Sequence, residues 1–112
     1  MSEPRLTARM EASALIRSVE AAGGFAAVLN KGDFDAGAIL ILTIESGRKA
    51  RLWEKLPSLD GSRRFSVTRE QGNDNQEEFA NYITRRINQD PDCWVVELDI
   101  ANPERFIAEL GR

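Results

Sequence analysis

Two Asp-x-Asp pairs, Asp33/Asp35 and Asp90/Asp92, stand beside glycine or proline in this chain. Carboxylates at that spacing can chelate a hard cation through oxygen or share acid–base work. The calcium-loop pattern fails, because the twelfth position counted from Asp33 should be a glutamate and is Ile44. Aspartates next to glycine or proline commonly build turns and caps. The expectation is two structural acidic loops, with no metal ligand, cofactor site or catalytic residue assigned.

A second constellation is cationic. Arg48, Lys49, Arg51, Lys55, Arg63, Arg64 and Arg69 fall within residues 48–69, against only Glu54 and Asp60. That segment carries +5, which leaves −8 for the rest of a chain whose net charge is −3. On a strand, Arg51, Trp53 and Lys55 share one face. A basic ribbon with an interleaved aromatic can follow a phosphate backbone and stack a base. The competing readings are a solvated face whose Arg and Lys stems cover Trp53, and a contact with an acidic protein surface or a second copy. Arg48, Lys49, Arg51, Trp53, Lys55, Arg63 and Arg64 are therefore the candidate interaction surface. The acidic total makes nucleic acid the weaker partner.

The residues that are missing narrow the chemistry further. The chain has no histidine. Ser-His-Asp and Cys-His catalysis, histidine-ligated zinc and the usual near-neutral base are thereby excluded. Cys93 is the one cysteine. It allows no internal disulfide, and next to Trp94 it reads as a small packing residue rather than an activated thiol. Gly23-Gly24 follows a helical stretch, whereas a dinucleotide loop follows a strand, and no Gly-Lys-Ser or Gly-Lys-Thr is present. The expectation is a protein that is not an enzyme.

The elements that position these residues centre on residues 37–44, Gly-Ala-Ile-Leu-Ile-Leu-Thr-Ile. The run is far shorter than the roughly 20 apolar residues of a membrane span. Its β-branched content and flanking turn signals favour a strand, and its two apolar faces favour a central one. Ser46-Gly47 then predicts a two-residue hairpin into a strand at 48–56. Glu45 would lie opposite Arg48, Leu40 opposite Trp53 and Leu42 opposite Arg51 on one face. Ile41 would lie opposite Leu52, and Thr43 opposite Ala50, on the other.

Apolar periodicity predicts helices over 8–22 and 75–88 and strands over 25–29, 64–69 and 93–100. A last helix opens at Asn102-Pro103 and ends at Gly111. The alternation of Leu6, Ala8 and Met10 with Thr7 and Arg9 also fits a short strand before the first helix. Asn73 and Asp74 are expected to cap the second helix. The order is α-β-β-β-β-α-β-α. Short links suggest an α+β fold, an antiparallel four- to five-stranded sheet with helices packed on it. A length of 112 residues, 42% hydrophobic and 29% charged, suits one domain with one core. The first residues, Met1-Ser2-Glu3-Pro4-Arg5, have no apolar signal-peptide core, so a cytoplasmic protein is expected.

Several of these pieces together resemble a family of short proteobacterial proteins classified as a domain of unknown function, family 1491. They are Ser13-Ala14-Leu15-Ile16-Arg17, residues 24–29 (Gly-Phe-Ala-Ala-Val-Leu), Gly32-Asp33 through Asp35-Ala36-Gly37-Ala38-Ile39, and Asp90-Pro91-Asp92 with Trp94-Val95-Val96-Glu97. Met10-Glu11 departs from the pattern, which has an aromatic there. The resemblance implies one compact domain and carries no activity. The expected function is a small, non-catalytic protein-interaction or regulatory module that self-associates, with a nucleic-acid-binding module as the alternative.

Overall fold

The run that ends in Ile44 becomes the middle strand of a five-stranded sheet. The computed structural model describes residues 6–72 and 76–110. In chain order the elements are α1 (Ala8–Ala21), β1 (Phe25–Asn30), β2 (Ile39–Glu45), β3 (Arg48–Pro57), β4 (Arg63–Glu70), α2 (Gln76–Gln89), β5 (Trp94–Asp99) and α3 (Pro103–Leu110). This is the α+β class and the element order read from the sequence. The expected caps at Asn73, Asp74 and Gly111 lie outside the described residues. No strand forms at Leu6–Met10. Instead Thr7 caps α1, its side chain accepting from the Met10 N–H.

The spatial order is β1-β5-β2-β3-β4. An all-antiparallel sheet was expected, and this is where the structure differs. β5 inserts between β1 and β2 and runs parallel to β2, with Ile39 beside Trp94 and Ile41 beside Val96. The sheet is mixed. Burial explains the insertion. Trp94, Val96 and Leu98 on one face of β5 and Val95 on the other are buried, and a strand covered on both faces belongs in the interior of a sheet. β1 is left at the edge, where Phe25, Ala27, Val28 and Leu29 stay exposed.

The β2–β3 turn is as expected in its first pair and different beyond it. Ser46 and Gly47 take φ of 51° and 77°, the positive values a two-residue hairpin turn needs, and Glu45 faces Arg48. Lys49 then also takes a positive φ, 54°, where the β3 side carries one extra residue. Past this bulge Thr43 pairs with Arg51, Leu42 with Leu52 and Ile41 with Trp53. The pairings expected for Leu40, Ile41, Leu42 and Thr43 are thus off by one residue, and Trp53 lies on the opposite face from the one expected.

Each face of the sheet has its own core. α1 and α3 cover one, bringing Leu15, Val19 and Ile107 onto Ile41, Trp53, Trp94 and Val96. α2 covers the other, setting Phe79 and Ile83 on Leu40, Leu42, Leu52 and Val95. Among the described residues, no helix is long and apolar enough to cross a membrane.

Candidate functional site

The two acidic loops meet. The Asp33 N–H donates to the Asp92 carbonyl at 2.8 Å, and the Trp94 indole N–H donates to the Asp33 carbonyl at 2.7 Å. The Asn30 side-chain amide donates to the carbonyls of Pro91 and Cys93, at 3.3 and 2.7 Å. The Asp33 carboxylate is turned into its own loop, accepting from the N–H groups of Asp35 and Ala36 at 3.1 and 2.9 Å. The carbonyls of Asp35 and Phe34 in turn accept from Ala8 and Arg9 at 3.0 Å each, satisfying N–H groups at the start of α1 that have no partner within the helix. Asp90 lies 3.9 Å from Arg86. Among the described residues no three Cys, Asp or Glu side chains gather so as to hold a metal ion. What the loops form is a backbone knot tying β1, β2, β5 and α1 together.

The cationic surface does not stay together. Arg51, Trp53 and Lys55 do share a face, but α1 and α3 cover it. Trp53 is only 7% exposed, and its indole N–H donates to the Thr43 hydroxyl at 2.8 Å. Arg51 is held between Glu104 of α3 and Glu70 of β4, the latter at 3.3 Å. The carboxyl of Glu104 is held below its ordinary range by its own backbone amide and by Arg51. Lys55 reaches Glu11 of α1 at 2.7 Å and lies over the Phe65 ring. On the other face Glu54 accepts from Arg86 of α2 at 3.3 Å and from the Thr68 hydroxyl at 2.6 Å. Each helix is thus moored to β3 by one ion pair.

Arg69 lies over the Tyr82 ring of α2, and the remaining cations form two groups. Arg48 and Lys49 sit at the β2–β3 turn, while Arg63 and Arg64 face Pro57 and Leu56 at the far end of β3. Eight residues of strand separate the groups, about 25 Å at a strand's rise.

Cys93 is fully buried, and burial pushes its thiol above the ordinary range, against a smaller opposing pull from Arg86. A protonated thiol with no exposure is a poor nucleophile. In the β3–β4 loop Asp60 accepts from the hydroxyls of Ser58 and Ser62 and from the Ser62 N–H. Those donors hold its carboxyl far below the carboxylate range, which makes it a poor base.

Two features escaped the sequence reading. One is a crevice of about 950 Å³ between α1 and α3, floored by Ile39, Ile41, Trp53 and Phe65 with Lys55, Arg63 and Arg64 on its rim. The other is the outer edge of β1. Among the described strands β1 alone carries no charged residue, whereas the opposite edge, β4, carries Arg63, Arg64, Arg69 and Glu70. Phe25 is 77% exposed, Leu29 47% and Val28 43%. An uncharged five-residue run with a loop glycine before it and Asn30 after it was the available signal.

Over residues 6–108 the sequence matches the family described as protein of unknown function, DUF1491. The chain belongs to that family. A crystal structure of a DUF1491 family protein from Caulobacter crescentus is 34% identical, with a TM-score of 0.74 over 85% of this chain and 88% of that one. An NMR structure of a DUF1491 family protein from the same organism is 32% identical, with a TM-score of 0.74 over 89% and 90%. A solution structure of a protein from A. tumefaciens is 36% identical, with a TM-score of 0.69 over 88% and 89%. No curated protein matches. Of the pieces by which this DUF1491 chain resembles its family, Gly32-Asp33, Gly37, Asp90-Pro91-Asp92 and Trp94 lie in the backbone knot.

Proposed function

We propose that this DUF1491 protein is a non-catalytic protein-interaction module, cytoplasmic, whose contact surface is the β1 edge. The observation that carries the reading is the contrast between the two sheet edges. A strand edge offers a row of unpaired N–H and C=O groups, and natural sheets usually block it with charge, as β4 does here. β1 has no such block. Addition of a partner's strand to an exposed edge is a common mode of recognition. The absence of histidine, the buried thiol and the low basicity of Asp60 all support a role without chemistry. The burial of Trp53 removes the stacking platform that a nucleic-acid role would use.

The test is affinity purification of the full chain from its own cells, beside Ala27→Lys, which sets a charge in the middle of β1. Proteins held by the wild type should be lost from the variant while its melting temperature is unchanged. Equal retention by both would reject the β1 edge as the contact.

A further inference from the structure

We infer that the strand added at this edge is β1 of a second copy, antiparallel, about a two-fold axis perpendicular to the sheet at Ala27. The inference rests on the reading of β1 as the contact surface and names its partner. Closure selects the arrangement. Pairing β1 with β4 of another copy would be head-to-tail and would propagate into an open filament. It would also set the uncharged β1 against Arg63, Arg64, Arg69 and Glu70, which would lose water and gain no counter-charge. Pairing β1 with itself brings no like charges together and closes at two copies.

Strand geometry places the axis. A two-fold perpendicular to the sheet keeps every side chain on its own face, so opposed residues must share a face and the axis must pass at a residue. Ala27 is the middle of the run from Phe25 to Leu29. Ala26 then opposes Val28 of the other copy, both on the α1 face, as their pairing with Leu98 and Val96 requires. Ala27 opposes itself on the other face, beside Glu97, and its methyl lets the strands approach closely. Phe25 comes toward Leu29 of the other copy, so two of the exposed apolar side chains cover each other. The register shift between Val28 and Asn30 ends the ladder. The product is one continuous ten-stranded sheet. Its seam lies within a strand of only six residues, and stable interfaces bury about 1,200–2,000 Å². The dimer is therefore weak and concentration-dependent.

Sedimentation equilibrium of the full chain, from micromolar to millimolar and at low and high salt, tests this. The expected result is a monomer–dimer equilibrium that high salt does not weaken, because the seam is uncharged and each copy is net negative. Ala27→Lys should weaken dimerisation at least about tenfold, since it sets like charges face to face. Beside Glu97 that lysine keeps a partner within its own chain. Mixing Ala27→Lys with an Ala27→Glu chain that also carries Glu97→Gln, which removes the like charge opposite position 27, should restore a heterodimer. A chain that stays monomeric, a dimer indifferent to Ala27→Lys, or a mixture that fails to pair overturns the inference. So does a dimer that salt dissolves, which would point to the basic strip meeting an acidic surface. A monomeric chain that still holds a foreign protein lost on Ala27→Lys would overturn the second copy and leave the β1 edge standing.

Discussion

A methyl group at Gly32 or Gly37 would stand 2.1 or 2.2 Å from the Asp92 carbonyl oxygen, and backbone cannot yield as a side-chain tip can. Gly32→Ala and Gly37→Ala should each lower stability by about 1–3 kcal/mol, the usual range for overpacking, measured by urea unfolding. Stability within about 0.5 kcal/mol of wild type would show that the two loops are not locked together. Cys93 gives a second prediction, at high pH. Burial raises the thiol's pKa in the fold, so the native state keeps a proton that the unfolded state releases. The stabilisation is fully present below the unfolded thiol's value of about 8.5 and is lost as pH rises through the folded value. Unfolding free energy should therefore decline above that pH, and Cys93→Ala should flatten the decline. A slope unchanged by the substitution would assign the loss to other groups.

At the scale of elements, β3 is the strand to which the helices are tied. The Glu54–Arg86 side chains are 18% and 23% exposed, against 37% and 39% for Glu11 and Lys55. Water screens the second pair more, so Glu54→Ala should cost about 1–2 kcal/mol and Glu11→Ala less than about 1. Chemical denaturation of both variants checks the order, and a larger loss at Glu11 would contradict the mooring of α2. Trp53→Ala should cost about 3–5 kcal/mol by emptying the core under α1 and α3, so any loss of binding in that variant would report folding. The elements themselves were legible, since periodicity and turn residues are local signals, and Ser46-Gly47 even fixed the first hairpin pair. The register beyond it was not, because Lys49 adopts a left-handed backbone without being a glycine or asparagine. Nor was the insertion of β5, which depends on competition among strands for interior places. The candidate surface suffered accordingly: a shift of one residue moved Trp53 from the face of Leu40 and Leu42 to that of Ile41, and helices cover both faces. The β1 edge was legible as an uncharged run, but only the strand order shows that no described strand pairs with its outer side.

At the scale of the whole molecule, the two layers on the sheet are unequal. One face carries two helices, and the crevice that separates α1 from α3 is floored by side chains already nearly buried, among them Ile41 and Trp53. The floor is roofed too thinly to be closed and too deeply to be a flat surface. Ala14 of α1 and Ala108 of α3 line this crevice, and alanine is the smallest side chain that continues a helix without cost. Their smallness leaves the gap. Leucine is also a good helix former, so Ala14→Leu changes occupancy of the crevice with little change in helix propensity. The added carbons would lie over an apolar floor and exchange water contact for carbon contact. The expected gain is about 0.5–2 kcal/mol, typical of filling a void, and the variant's melting temperature should rise. The β1 seam lies at the far side of the sheet from β3 and β4, so dimerisation should be unaffected. A fall in melting temperature would show that α1 and α3 already stand as close as their side chains allow. A change in dimerisation would show that the two helices and the β1 edge move as one body.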